Sequence, residues 1–306
     1  MLNKFQRMLD LLPRLLHLDR HVDEIKMNQG RILAGMQRIA PPGPLWQHEF
    51  KVFSQWGEDG IIQFLINNLT IANHTFIEFG VEDFSESNCR FLMMKDKWRG
   101  YVIDGSPANM ERLRSSYFFW QNALNCKASF ITRENLASLL DESGFDKNLG
   151  ILSVDIDGVD YHVLEALAEW RPAILIVEYN DAFGWESPVS VPYDPAFVRL
   201  QKHPSNQYWG ANLPAFHHLA DQRGYALAGT NSVGSNAFFV RRELLNDRVR
   251  EVDLVSCIRQ ASFRDSRGTR GELTFLSGPD RTRAMVEMPL VDVATRASVR
   301  AGDLLV

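Results

Sequence analysis

The sequence predicts an α/β fold: a mostly parallel sheet that ends in an antiparallel hairpin and is preceded by an N-terminal coiled-coil helix. Between residues 75 and 180, short runs rich in Ile, Val, Leu and Phe alternate with helix-length segments, which is the pattern of βαβ units. Two later runs, 225–230 and 236–241, are joined by the turn-forming segment NSVGS and predict a hairpin. Residues 8–39 repeat apolar side chains at alternating steps of three and four, which predicts a coiled coil.

Composition and charge narrow the class of protein. The chain has 306 residues, of which 45% are hydrophobic, and a net charge of −5 with a pI near 5.9. These values are ordinary for a globular protein, and without a basic stripe they argue against nucleic acid as a partner. Three cysteines without a CxxC spacing indicate a reducing, cytoplasmic location. The sequence shows neither a spanning apolar run nor a signal peptide, so we predict a soluble protein without a transmembrane segment.

The N-terminal helix carries a narrow apolar stripe, called the seam below. Its a positions are Met8, Leu15, Val22, Gln29 and Met36, and its d positions are Leu11, Leu18, Ile25, Ile32 and Ile39. An isolated helix cannot bury such a stripe, so we predict that residues 8–39 join copies of the chain into a homo-oligomer. An amphipathic helix that packs on its own domain or lies on a membrane surface is the alternative, although the flanking charges are mixed and do not form the basic face of a lipid-binding helix.

Prolines divide the chain after this helix. Pro41, Pro42 and Pro44 cannot continue a helix, because a prolyl ring removes a backbone donor and restricts the residue before it. The predicted division is an oligomerisation helix at 1–40, a stiff linker at 41–49, an α/β domain at 50–245 and a C-terminal extension at 246–306. The extension is weakly patterned and predicts no chemistry.

The elements of the α/β domain follow from apolar runs and capping residues. Ser54 or Asp59 is placed to cap a first helix that continues through Asn68, and Thr132 is placed to cap a later one. Two strands are predicted first, one that begins at 75 and one that ends at 104. The order after them is helix 107–116, strand 122–128, helix 132–142, strand 149–155, helix 162–170, strand 172–180 and helix 212–223. Short strands are predicted around 273–276 and 288–293 in the extension.

The first βαβ unit places an acidic residue beside a glycine at the end of each strand: Glu78 with Gly80, and Asp104 with Gly105. Ligands of open parallel sheets bind outside these carboxyl ends, where the strand order reverses. Gly80 permits a sharp turn and a close approach to a ligand. Asp104 is placed to accept hydrogen bonds from two ribose hydroxyls. The alternative is that both acids only cap the following helices.

Two later strands also end in polar side chains. Asp155 and Asp157 follow one buried run, and Glu178 and Asn180 follow the next. If the strands are neighbours, these groups cluster, and clustered carboxylates need a cation, a shared proton or separation. We therefore consider a divalent metal site formed by Asp155, Asp157 and Glu178. In the alternative, Asp157 and Asp160 cap the following helix and Asp155 alone faces a ligand.

The loop after the first strand indicates the charge of the ligand. It contains Glu82, Asp83 and Glu86, and it lacks the GxGxxG spacing of dinucleotide-binding proteins. These acids would repel a diphosphate, so a cationic or zwitterionic ligand fits better. Residues 181–207 form a long irregular segment with several aromatic residues, and we predict an ordered lid over the acceptor side of the site.

Several segments together resemble a known family. They are SQWGEDG at 54–60, FIEFGVE at 76–82, YVIDG at 101–105, SVDIDG at 153–158, VEYN at 177–180 and NAFFV at 236–240. In this order the segments resemble the class I S-adenosylmethionine-dependent methyltransferases, whose Rossmann-like sheet receives a final antiparallel strand. Within that fold the chain resembles the FkbM-like branch and its uncharacterised bacterial relatives, over about residues 50–245.

The resemblance implies a cofactor, a reaction and site residues. The cofactor is S-adenosyl-L-methionine, and the implied binding residues are Gln55, Glu78, Gly80, Glu82, Asp104, Gly105, Ser106 and Asp155. The implied reaction is O-methylation of a sugar, a glycan or a related hydroxyl acceptor. Such a transfer needs in-line positioning and removal of the hydroxyl proton. The candidate catalytic base is Asp155, with His162 behind it.

Two other functions remain open at this stage. Asp155-Ile156-Asp157 matches the DxD that holds a metal and a nucleotide sugar in glycosyltransferases, although this pattern is common by chance. The acidic, glycine-poor loop at 82–86 is also compatible with a methyltransferase-like protein that lost its activity and serves as an assembly module.

Overall fold

The computed structural model describes residues 2–262 and 265–305, with side chains from residue 18 onward. The strands are β1 (Thr75–Phe79), β2 (Arg99–Asp104), β3 (Leu124–Ala128), β4 (Ile151–Val154), β5 (Ile174–Glu178), β6 (Val189–Ser190), β7 (Tyr225–Thr230), β8 (Asn236–Arg241), β9 (Pro289–Asp292) and β10 (Ser298–Arg300). The helices are α1 (Leu2–Gln37), α2 (Glu58–Asn68), α3 (Arg90–Asp96), α4 (Pro107–Ser115), α5 (Leu136–Asp141), α6 (Asp160–Ala166), α7 (Arg199–Lys202), α8 (Leu213–Gln222) and α9 (Pro279–Arg283).

The predicted fold class is confirmed. Seven strands form one sheet in the order β3-β2-β1-β4-β5-β8-β7. The first five strands are parallel, and β8 inserts antiparallel between β5 and β7. This is the Rossmann-like arrangement with a final antiparallel strand that the sequence predicts. The strand order reverses between β1 and β4, so the crevice for a ligand lies above these two strands.

Apolar side chains on both faces explain why the sheet is buried. Two hydrophobic clusters lie on opposite faces, and neighbouring strand residues contribute to different ones: Ile77 and Phe79 to one, Phe76 to the other. Strands that are covered on both faces read as continuous apolar runs, which is why the sequence located them.

Several predicted elements differ from the structure. Helix α6 ends at Ala166 rather than at residue 170, and the N-cap residue of α2 is Gly57 rather than Ser54 or Asp59. Helix α5 begins at Leu136 rather than at Thr132, because the Thr132 hydroxyl accepts a hydrogen bond from the Asn135 N–H at 3.3 Å and forms a turn before the helix. Around 273–276, Leu273 forms one isolated bridge to Arg267 instead of a strand. The other extension strand is present as β9, which pairs with β6 and β10.

The C-terminal extension packs against the domain. Cys257, Met285, Leu290 and Val293 are buried in the same hydrophobic cluster as Val154 of the sheet. Most of the extension therefore covers one face of the α/β domain, while Val249 near its start is buried in the cluster on the other face. Among the helices of the described chain, none has the length and apolarity needed to cross a bilayer.

Helix α1 uses two separate stripes. Asp23, Met27, Gly30 and Ala34 face the domain, where Met27 and Ala34 join a small hydrophobic cluster with Val52, Phe53 and Phe91. The seam lies on the opposite side, and its members Leu18, Val22, Ile25, Ile32, Met36 and Ile39 are exposed. The side chains of Met8, Leu11 and Leu15 lie outside the described residues. The helix thus packs on its own domain, as in the alternative, and still presents most of the predicted seam.

The two glycines of α1 allow a matched test of this packing. A Cβ on Gly30 would lie 2.6 Å from Val52 Cγ2 and 2.7 Å from Phe91, whereas a Cβ on Gly35 would meet nothing within 4 Å. Gly35→Ala should stabilise the protein by up to about 1 kcal/mol, because alanine is the better helix former. Gly30→Ala gains the same propensity but overpacks the contact, and we expect a net loss of about 1–2 kcal/mol. Chemical denaturation measures both, and equal effects would contradict the close approach.

Candidate functional site

A cavity of about 540 Å³ opens at the carboxyl ends of β1, β2, β4 and β5. It brings most of the predicted site residues into one wall: Gln55, Glu78, Gly80, Glu82, Asp104, Gly105, Asp155, Asp157 and Glu178. The predicted residues Ser106 and His162 lie outside this lining. The acidic strand ends therefore share a single hollow, at the position that the strand order marks for a ligand.

Gly80 is required by a close approach between two strand ends. Its φ is +69°, and a Cβ at this position would lie 1.5 Å from the carbonyl oxygen of Asp155. No side chain fits there, so only glycine lets the end of β1 pass beside the end of β4. The contact brings the end of β1 directly against the residues that follow β4.

Glu78 organises the loop that follows β1, residues 81–89, called the β1–α3 loop. Its Oε1 accepts from the Asn88 N–H at 2.8 Å, and its Oε2 accepts from the Ser87 hydroxyl at 2.7 Å and the Cys89 N–H at 3.1 Å. Burial raises the pKa of Glu78, and these donors oppose the shift. Its carboxylate lies in the cavity wall, and both of its oxygens accept hydrogen bonds that hold the loop in place.

Asp104 is fixed at the rim of the same cavity. Its Oδ2 accepts from the Glu82 N–H at 2.9 Å, and its Oδ1 accepts from the Ser106 N–H at 2.8 Å and from Asn109 Nδ2 at 3.1 Å. A carboxylate offers about four acceptor positions, so Oδ2 keeps capacity for a ligand hydroxyl. Ser106 has a supporting role, since its hydroxyl caps α4 by accepting from the Asn109 N–H.

Three carboxylates meet above β4 and β5. Oxygen atoms of Asp155, Asp157 and Glu178 lie within 4.8 Å of one another, and we call this group the carboxylate cluster. Burial, followed by the charges of its neighbours, raises the pKa of Asp155 and of Glu178 well above their usual values, and the two carboxyls are hydrogen-bonded. The raised pKa of both carboxyls favours a shared proton, one of the arrangements that the sequence left open.

A buried arginine supplies positive charge to the cluster. Arg199 forms an ion pair with Asp157 and a second one with Asp265 at 2.7 Å, and it also donates to the Asn206 carbonyl. Its guanidinium lies 4.7 Å from the ring centre of Trp209. Arg199 comes from the segment predicted to form a lid and Asp265 from the C-terminal extension, so both segments contribute to the cavity wall.

Asn236 is a further wall residue that the sequence did not single out. It is 7% exposed, and its Nδ2 donates to Glu58 Oε1 at 2.9 Å. Because a carboxylate only accepts, this bond fixes the amide so that Oδ1 is left for another donor. Within the described residues, no group donates to Asn236 Oδ1 or to Glu178 Oε2, although both atoms are buried. The two residues face each other across β5 and β8.

His162 does not line the cavity, although the sequence predicts it as a catalytic residue behind Asp155. Its side chain is buried below the sheet end, its Nε2 lies 2.8 Å from the Val191 carbonyl oxygen, and its ring packs edge-on against Tyr193. Burial lowers the pKa of His162. The histidine is a packed core residue, and the geometry gives it no contact with the cavity.

Asn180 and Asp160 are also structural. The Asn180 amide donates to the carbonyls of Gln207 and Trp209, each at 2.9 Å. Asp160 accepts from the N–H groups of Ile156 at 2.7 Å and Gly158 at 2.9 Å, and burial raises its pKa to about 6. Asp160 therefore holds the turn after β4. The capping alternative is wrong, because α6 has Val159 at its N-cap without a side-chain hydrogen bond, and Asp155 and Asp157 both line the cavity.

Comparison with known proteins adds a likeness of fold only. No known family and no curated protein matches the chain. The N-terminal domain of EvdMO1 with SAH bound aligns at 10% identity over 57% of this chain and 74% of that one, with a TM-score of 0.35. An O-methyltransferase family protein from Burkholderia thailandensis aligns at 9% identity over 76% and 62%, with a TM-score of 0.37. The O-methyltransferase from Bacillus cereus in complex with SAH aligns at 12% identity over 69% of this chain and 79% of that one, with a TM-score of 0.34. Likenesses this distant say nothing about activity, and the fold assignment rests on the strand order.

Proposed function

We propose that this protein is an S-adenosyl-L-methionine-dependent O-methyltransferase that acts on a hydroxyl of a sugar, a glycan or a related acceptor. The observation that carries the proposal is the shared cavity, in which Asp104, Gly80 and Asp155 meet at the switch point of a sheet with an inserted antiparallel strand. Its volume suits a cofactor and part of an acceptor. Its acidic wall suits the positive charges of a sulfonium and an ammonium group.

The wall divides into a cofactor side and an acceptor side. On the cofactor side, Asp104 Oδ2 would accept from a ribose hydroxyl, with Gln55, Glu82 and Gly105 beside it. Phe130, which is 47% exposed in the wall, offers a ring face to a nucleobase. These assignments follow from the positions of the residues around the cavity.

Asp155 is placed to act as the base. The cofactor supplies an electrophilic methyl group, and the acceptor hydroxyl must lose its proton as its oxygen takes that methyl. A carboxyl with a raised pKa is a better proton acceptor than an ordinary one. Asn236 Oδ1 and Glu178 Oε2 offer acceptor atoms for further hydroxyls, which is the donor chemistry that a sugar provides.

A divalent metal ion is the second arrangement for the carboxylate cluster. Carboxylate oxygens of Asp155, Asp157 and Glu178 are ligands that Mg²⁺ and similar hard cations prefer. Arg199 already pairs with Asp157, so an ion would compete with the guanidinium for that oxygen. The cluster holds either a proton and an arginine or a metal ion.

Binding measurements separate the methyltransferase from its rivals. We expect Asp104→Ala to weaken binding of S-adenosyl-L-methionine by about 10- to 100-fold, the loss of a hydrogen bond to a charged group. Asp157→Ala should leave this affinity within about twofold, because Asp157 lies on the acceptor side. Calorimetry measures both, with Glu111→Ala as an exposed control on α4.

Two other results would replace the proposal. Tight, metal-dependent binding of a UDP-sugar without affinity for S-adenosyl-L-methionine would identify a glycosyltransferase. An absence of binding to either ligand, in a folded protein, would identify an assembly module.

Transfer assays test the carboxylate cluster. With a panel of nucleotide sugars and glycan fragments, Glu178→Gln should lower kcat/KM for methyl transfer by about 10- to 100-fold, since it disturbs both the shared proton and the acceptor contact. Cofactor affinity should be unchanged, and Glu169→Gln, an exposed glutamate, is the control. If EDTA stops transfer and Mg²⁺ restores it, the cluster holds a metal ion and the shared-proton arrangement is rejected.

The exposed seam supports the proposed homo-oligomer. The domain contacts α1 on the side opposite the seam, so a second copy can pair with the seam while the helix stays docked. Ile25 and Ile32 are each 68% exposed in the single chain. We expect sedimentation to show an oligomer that Ile25→Asp combined with Ile32→Asp converts to a monomer, because paired charges at core positions repel. Arg31→Asp, exposed but outside the seam, is the control, and an unchanged oligomer in the double variant would refute the assignment.

A further inference from the structure

An aspartate of the N-terminal helix forms a buried ion pair with the first residue of α3. Asp23 and Arg90 have side chains that are 13% and 6% exposed, and Asp23 Oδ2 accepts from Arg90 Nη2. The same oxygen accepts from the Tyr117 hydroxyl at 2.9 Å. Burial lowers the pKa of Arg90, and the charge of Asp23 is the largest effect that opposes it. Asp23 is therefore the main compensation for a buried cation.

Arg90 connects this pair to the β1–α3 loop. Its guanidinium is stacked between two rings, 3.9 Å from the centre of Phe53 and 4.1 Å from that of Phe118. Its Nη1 donates to the Ser85 carbonyl at 3.0 Å, near the middle of the loop. The Phe53 carbonyl accepts from the Ser87 N–H at 3.2 Å. Arg90, through its guanidinium, and Phe53, through its backbone carbonyl, thus bind two neighbouring points of the loop backbone.

The loop needs such support. Glu82 and Phe84 have φ values of +48° and +65°, a conformation that costs a residue other than glycine free energy unless its surroundings enforce it. The loop also forms much of the cavity wall, through Val81, Glu82, Glu86, Ser87 and Asn88. A change in its shape would therefore change the cofactor side of the cavity.

The two ion pairs at the outer edge of the loop are weak. Lys51 pairs with Glu86 at 3.2 Å and Arg112 pairs with Asp83 at 3.3 Å, but Lys51, Glu86 and Arg112 are about half exposed or more, and solvent screens such pairs. Glu78 holds the inner end of the loop at Ser87 and Asn88. Between them, Phe84 is buried and the Ser85 carbonyl is bound by the buried guanidinium of Arg90.

We propose that Asp23 is a positioning residue for the cofactor site: it holds Arg90 in place, and Arg90 holds the β1–α3 loop in the shape that lines the cavity. This positioning role rests on the proposed function in one respect: the ligand that binds beside the β1–α3 loop is the methyl donor. Loss of the Asp23 charge leaves a buried guanidinium without its partner, which a protein relieves by moving the arginine toward water. The bond to Ser85 is lost with that movement.

Hydrogen–deuterium exchange on the ligand-free full chain tests the proposal directly. Asp23→Asn should raise exchange in residues 81–89 while β1 and β2 stay protected. Tyr117→Phe removes one bond to Asp23 and should give a smaller change in the same direction. Asp19→Asn, one turn before Asp23 on α1 but exposed to solvent, should leave the loop unchanged. Unchanged loop exchange in Asp23→Asn, or a uniform rise across the whole sheet, would overturn the positioning role.

Calorimetry with S-adenosylhomocysteine measures the consequence for binding. We expect Asp23→Asn to weaken affinity by about tenfold, within the usual range of coupling between distant sites, and Asp19→Asn to leave it unchanged. Wild-type affinity in Asp23→Asn would refute the coupling. If the wild-type chain binds no S-adenosylhomocysteine, the proposed function fails, while the exchange experiment still decides whether Asp23 positions the loop.

Discussion

The site depends on the burial of like charges at the ends of two adjacent strands. Val154 of β4 pairs with Val177 of β5, so the next residues, Asp155 and Glu178, emerge side by side. Two carboxylates this close cannot both be ionised without compensation. The ion pair between Arg199 and Asp157 compensates part of the charge, and the raised pKa of Asp155 favours a proton shared with Glu178. The chemistry at this end of the cavity depends on this compensation.

The need to compensate these negative charges also explains which segments of the chain pack around the carboxylate cluster. Arg199 reaches the site from a segment between β5 and α8 and is held there by Asp265 of the extension. Asp265 in turn accepts from Asn206 and Gln207 of that segment, at 3.1 Å and 2.9 Å. A second pair, Arg281 with Asp181, joins the extension to the residues after β5. The lid segment is ordered because the extension binds it.

The sequence predicts the site residues that follow directly from a strand, and it misses those that reach the site from distant segments of the chain. Strands and their acidic ends follow from apolar runs, so Asp104, Asp155 and Glu178 could be placed in advance. Side chains alternate between the two faces of a sheet only as far as the strand extends. Because β5 ends at Glu178 and the chain then turns, the Asn180 side chain does not join the carboxylates and donates to backbone carbonyls instead. Arg199 and Asp265 lie in segments without periodicity, and their role depends on contacts across the fold.

A similar limit applies to the N-terminal helix. Its seam is visible as a repeat of large apolar residues, whereas the domain-facing stripe contains Asp23, Gly30 and Ala34, which an apolar pattern does not mark. Gly30 looks like a weakness in the helix when the sequence is read alone. In the structure it is the point where the helix backbone comes closest to Val52 and Phe91. Small and charged residues inside a helix can therefore indicate docking as well as loss of helical propensity.

The two ends of the chain act on the site by the same physical means. Asp23 near the start pairs with Arg90, which contacts the β1–α3 loop, and Asp265 near the end pairs with Arg199, which contacts the carboxylate cluster. Both arginines are largely buried, so each needs its carboxylate more than a surface residue would. Both aspartates lie outside the seven-stranded sheet and the helices that connect its strands. The central domain therefore supplies the strand ends, and the terminal segments fix the loops that turn them into a cavity.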